Sequence, residues 1–170
     1  MYLHFSAGVC RIESEISVAI PRLKEYTGPA ILSYGFRPFF FLASIYAAIS
    51  ILLWLPQFYG YLEIYSAFAP VDWHIHELFF GFVAAVITGF LFTAVPNWTG
   101  RMPIQGMPLL CLVLIWVSGR IAMTFSAFIG WEIAMAVDVA FLAAVWGVIA
   151  TEIITGRNWR NLKVLIPLTV

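Results

Sequence analysis

The chain has 170 residues, of which 62% are hydrophobic and 11% charged, and its mean hydropathy is +0.93. A soluble globular domain carries about 25% charged residues, so the composition excludes that class and defines an integral membrane protein. The formal net charge is zero, which gives no basic footprint for nucleic acid. Cys10 and Cys111 lie far apart and make neither a disulfide framework nor a CxxC metal site.

Residues 1–32 include the mixed stretch RIESEISVAIPRLKEYTGPA. It lacks the basic-then-apolar pattern and cleavage site of a secretory signal. It is expected to be a cytoplasmic arm that includes at most a short surface helix. Residues 33–170 read as a membrane region. A hydrocarbon core about 30 Å thick takes about 20 helical residues to cross. Four apolar runs meet that length, over 38–55, 73–95, 108–128 and 131–154. A fifth opens at Leu162 and stops at Val170, too short to span. The expected fold is all-α: a polytopic transmembrane helix bundle with four complete spans plus the start of a fifth. The chain is expected to be a fragment, completed by further C-terminal helices or by another subunit.

Orientation follows from Lys and Arg in the short loops. Arg22, Lys24 and Arg37 precede the first run, Arg101 follows the second, and Arg157, Arg160 and Lys163 follow the fourth. Loops 57–72 and 126–131 contain neither residue, and the former holds Glu63 and Asp72. The N-terminus is therefore expected inside and loop 57–72 outside, in a bacterial inner membrane. Trp54, Trp73 and Trp131 are expected at the outer interface and Trp98 and Trp159 at the inner one, where an indole keeps its ring apolar and its N–H partnered. Trp116 and Trp146 fall inside helices and read as packing residues.

The second run opens with VDWHIHELFFGF. Asp72 is expected to cap this helix, which places His74 in its first turn. At about 100° per residue, His74, Glu77, Gly81, Ala85, Thr88 and Gly89 share one face, and His76 points almost opposite, toward Phe80. The small residues allow two readings: close helix packing, or room for a flat cofactor beneath His74. Two histidines and a carboxylate at a polar helix mouth allow two readings, amphipathic interface anchors or ligands of a bound centre. Imidazole is a common ligand for haem iron and copper, and Glu77 could orient a ligand or relay a proton. Because the two imidazoles diverge on a regular helix, they do not suit one chelate: they serve two centres, or one binds and one packs. Gly81 stands four places past Glu77, so no HExxH motif exists and a zincin protease is excluded.

Two charges lie within the later runs. Arg120 and Asp138 are each about nine residues from the turn near Ile129, so antiparallel helices bring them to similar depth. A lone charge there costs at least about 2.5–3.5 kcal/mol, so an interhelical ion pair is the expected role, with a proton path as the alternative. Arg37 in GFRPFF and the stretch PNWTGR read as basic, aromatic and turn anchors at the inner interface.

The stretches YGFRPFF, WHIHELFFGF, GFLFTAVPNWTGR, SGRIAM and RNWRNLKVL together resemble the NnrS family of bacterial membrane proteins, in its N-terminal portion. The resemblance runs from Ser33 to Leu165. It implies an inner-membrane protein of about a dozen helices that carries haem and copper and serves in the response to nitric oxide and nitrosative stress. The family's WHxHE motif falls on Trp73, His74, His76 and Glu77, and the buried Arg of its third helix falls on Arg120. The leading expectation is thus a metal-binding protein with His74 and His76 as ligands, Glu77 beside them, and nitric oxide as small-molecule ligand. A transporter or channel half with Glu77, Arg120 and Asp138 along a polar path, and a passive helical scaffold in the lipid bilayer, are the alternatives.

Overall fold

The computed structural model describes residues 26–101 and 104–168. Most of the N-terminal arm, with Cys10, Arg22 and Lys24, lies outside the described residues. Among those described, four helices are long and apolar enough to cross a membrane: Phe36–Phe58, Pro70–Thr99, Met107–Thr124 and Trp131–Thr155. No strand occurs among the described residues. The expected all-α bundle of four complete spans is what the structure shows. The apolar run that opens at Leu162 belongs to a 3-10 helix over Trp159–Leu168.

The boundaries carry three corrections. The second span begins at Pro70, whose fixed φ suits a first helical position, with Ala69 as N-cap. Asp72 therefore lies in the first turn and is not the cap, and His74 sits one turn deeper than expected. The third span stops at Thr124 instead of continuing to residue 128, and a separate short helix, Ser126–Ile129, follows. Buried Ser126 explains that break. Its hydroxyl donates to the Met123 carbonyl at 2.9 Å and accepts the Ala67 N–H at 2.9 Å. The Ala127 N–H donates to the Tyr65 carbonyl at 2.9 Å. The chain leaves the helix at the point where it can satisfy the backbone of the 59–69 loop. Finally, the second span is not a regular helix: Glu77–Val83 forms a π-helical segment.

The core is built from facing aromatic and aliphatic side chains. Phe39 of the first span lies 5.9 Å from Phe92 and 5.7 Å from Phe141, ring centre to ring centre. Leu109, Val145, Ile149 and Ile153 are buried around them. Gly89 lets the first and second spans close up, since a Cβ there would lie 2.8 Å from the Phe40 ring. Hydroxyls within the spans are mostly satisfied by their own helix: Thr88 donates to the Ala84 carbonyl at 2.8 Å and Thr124 to that of Arg120 at 2.8 Å. Lipid offers such groups no partner, so this back-bonding is what permits them there.

Trp73 is wholly buried, and Trp116 is buried as expected, whereas Trp146 faces outward at 38% exposure. Trp131 and Trp159 are exposed. Arg37 is not a free anchor: it donates to the Ala30 carbonyl at 2.8 Å and to the Ser33 hydroxyl at 2.9 Å. Arg101 pairs with Glu152 at 2.5 Å, which ties the end of the second span to that of the fourth.

Candidate functional site

The site starts from Glu77, the first residue of the π segment. Its side chain is wholly buried. Its Oε2 accepts from Arg120 Nη1 at 2.6 Å and from the Tyr46 hydroxyl. The other arm of the guanidinium, Nη2, donates to Asp138 Oδ1. Arg120 is 5% exposed and Asp138 2%. Tyr46, Glu77, Arg120 and Asp138 thus join into one polar chain, with one residue from each of the four spans. Arg120 and Asp138 meet across the third and fourth spans, and Glu77 extends the pair into a triad.

Two glycines make the approach possible. A Cβ at Gly119 would lie 2.7 Å from Asp138 Oδ1 and 3.2 Å from its Cα. One at Gly81 would lie 2.7 Å from Arg120 Nη1 and 2.8 Å from the Tyr46 ring. The π segment contributes as well. Such segments insert a residue into a helix and loosen its carbonyls, and the Gly81 carbonyl here accepts the Trp116 indole N–H at 3.0 Å. The tryptophan read as a packing residue therefore also satisfies the irregular backbone beside the charges.

The two histidines diverge, as the sequence reading expects. His76 stacks on Phe80 at 4.7 Å between ring centres, also as the helical spacing implies. Its nitrogens nevertheless do not look into lipid. Nε2 lies 3.2 Å from Asp138 Oδ2 and Nδ1 lies 3.5 Å from Glu77 Oε1. These are ionic-range contacts rather than hydrogen bonds, and Glu77 Oε1, Asp138 Oδ2 and His76 Nδ1 have no hydrogen-bond partner. His74 turns to the first span and stacks on Trp54, with ring centres 4.1 Å apart and planes 16° from parallel. The His74 Nδ1 and Trp54 Nε1 atoms are both buried without a partner.

The lane of small residues below His74 is occupied. Tyr46 and Arg120 press on Gly81, and Phe40 and Phe39 press on Gly89. Close packing is thus the use the structure makes of it, and no flat cofactor fits along that lane. Among the described residues no group of three or more His, Cys, Asp or Glu is placed to hold a metal ion. The donor chemistry that remains is one imidazole with a free buried nitrogen, His74, and a second, His76, faced by carboxylates.

Tyr46 escaped the sequence reading, and so did the contacts of Trp54 with His74 and of Trp116 with the Gly81 carbonyl. Each is a ring among apolar residues that carries one polar atom; those of Tyr46 and Trp116 find partners in Glu77 and the Gly81 carbonyl, as a membrane interior favours. A tyrosine in the middle of the first apolar run was the available signal.

Fold and site together define a polytopic helical membrane protein with a buried ionic cluster reaching into its second span. The model of the NnrS protein family matches residues 30–170, and the chain belongs to that family. No curated protein and no solved structure matches it.

Proposed function

We propose that this NnrS-family chain is a metal-binding protein of the bacterial inner membrane that serves in the response to nitric oxide or nitrosative stress. In this reading haem or copper is held in part by His74, His76 serves a second centre, and Glu77 supports them. The observation that carries the reading is the free Nδ1 of His74, buried without a partner while its ring is held against Trp54. Leaving a buried polar atom unpaired costs about 1–3 kcal/mol, a cost that a bound ligand would offset. The family membership over residues 30–170 supports the choice of haem and copper.

The residues fit a partial site. Among the described residues the imidazoles are single rather than a chelating set, so in this reading the remaining ligands would be supplied from outside them, by this protein or by another subunit. A haem or copper centre, when bound, would supply a metal that takes up nitric oxide. The chain's own residues would do the rest: His74 donates a neutral nitrogen, Trp54 fixes its plane, and the Glu77–Arg120–Asp138 cluster sets the angle of the helix that carries it. Carboxylates beside the second nitrogen of a ligating imidazole are a common orienting device, and Asp138 Oδ2, 3.2 Å from His76 Nε2, is near enough to take that part if the contact tightens to a hydrogen bond.

The test is spectroscopic and analytical. Membranes carrying the chain at graded expression should show a Soret band, copper, or both, rising in proportion to the protein, and the absorbing species should change on adding nitric oxide. Membranes with abundant protein and neither signal above the empty-vector level would sink the reading.

A further inference from the structure

The basic end of the bundle carries a feature that the proposed metal chemistry does not use. The fourth span closes at Gly156, and Arg157 then adopts a left-handed backbone with φ 52°. This region is uncommon for a residue with a side chain. The turn is held by three bonds. Arg157 N–H donates to the Ile154 carbonyl at 3.0 Å, Asn158 N–H to that of Ile153 at 3.1 Å, and the Asn158 side chain to the Trp98 carbonyl at 2.6 Å. The 3-10 helix Trp159–Leu168 follows directly.

In a 3-10 helix residues three apart eclipse one another, about 6 Å apart along the axis. Arg160 and Lys163 therefore stand in one row, and Arg157 precedes them at the same interval. All three are exposed, and none has a carboxylate partner among the described residues. Residues 153–170 contain no Asp or Glu. The other basic side chains described at this end differ, because Arg101 is paired with Glu152 and Arg37 with its own turn. Apolar groups interleave with the free cations: Trp159 is 61% exposed and Ile166 64%, while Leu165 is buried in the core.

A purely solvated charged face has no use for an exposed tryptophan and isoleucine between its cations. A segment lying at the headgroup level does, since it meets acyl chains on one side and phosphates on the other. We propose that Arg157, Arg160 and Lys163 form a binding surface for the phosphate of an anionic phospholipid, with Trp159 and Ile166 set against its acyl region. The occupant follows from charge complementarity: three cations with no carboxylate partner among the described residues, at the mouth of a spanning helix.

Native mass spectrometry of the purified chain tests this by comparing phosphatidylglycerol with phosphatidylcholine of the same acyl composition. The wild-type chain should retain phosphatidylglycerol preferentially. Retention should fall about fivefold for each cation removed at low salt, read in R160Q, K163Q and the triple variant R157Q/R160Q/K163Q. R37Q, which removes a cation already bonded to its own backbone, should retain as the wild type does. The two single variants alter exposed side chains and keep the experiment decisive if the triple variant does not fold. Equal retention of the two lipids, single variants that hold phosphatidylglycerol as the wild type does, or displacement of the lipid by inorganic phosphate would each overturn the assignment.

Discussion

At Gly81 an entire helix face depends on one missing methyl group. The residue sits where Arg120 and Tyr46 converge on Glu77, and an added Cβ would meet Arg120 Nη1 at 2.7 Å. Neither neighbour is free to move, because each is bonded to Glu77 Oε2. Gly81→Ala should therefore destabilise the bundle by about 1–3 kcal/mol, the usual cost of overpacking a tight interior. An unfolding titration in mixed detergent micelles reads this, and an unchanged midpoint would contradict it. Tyr46→Phe should cost about 1.5–3 kcal/mol in the same assay, the net worth of a hydrogen bond to a charged group. At this scale the sequence was legible where a residue type is rare in lipid. Glu77, Arg120 and Asp138 declare themselves by their charge. Tyr46 and Trp116 do not, because hydropathy scores the ring and ignores the single polar atom.

The elements were legible from length and apolarity alone, since a helix is the only open structure that satisfies its own backbone in lipid. Their irregularities were not. The π segment over Glu77–Val83 and the break after Thr124 both follow from contacts between distant parts of the chain: Trp116 with the Gly81 carbonyl, and Ser126 with the 59–69 loop. Asp72 was misassigned as a cap for a related reason: Pro70 starts the helix earlier and leaves Asp72 inside it. Ser126→Ala removes the acceptor of the Ala67 N–H and should loosen the loop, exposing it to protease while the spans stay folded. Unaltered cleavage of loop 59–69 would show that the hydroxyl does not hold it. The same loop reports orientation. With the Lys/Arg bias placing it outside, a cysteine at Glu63 should react with an impermeant maleimide in intact cells or spheroplasts. Labelling confined to lysed cells would reverse the proposed topology.

For the whole molecule, the ionic cluster connects the last three spans and reaches the first through the Tyr46 hydroxyl, with two carboxylates to one guanidinium. The sequence suggested a pair, and with a pair the removal of both members would leave no orphan charge. With the triad, changing Arg120 and Asp138 together still strands Glu77. Arg120→Met alone should therefore be severely destabilising, and adding both Glu77→Gln and Asp138→Asn should recover much of the loss, because breaking a buried pair costs about 3–5 kcal/mol while replacing it whole can be nearly neutral. Strictly additive losses across these variants would mean the groups do not act as a unit.

The two histidines divide at the mouth of the second span: His74 Nδ1 is buried without a partner, and His76 is faced by the carboxylates of the cluster. Metal and haem content of His74→Ala and His76→Ala, each measured per folded protein in native membranes, tests that division most directly. The account predicts that His74→Ala loses the Soret absorbance or copper it is responsible for while the bundle remains folded. His76→Ala should spare that centre and alter a different one, or one metal alone. Haem and copper unchanged in both variants at equal protein level would contradict it and return both histidines to the packing of the helix mouth.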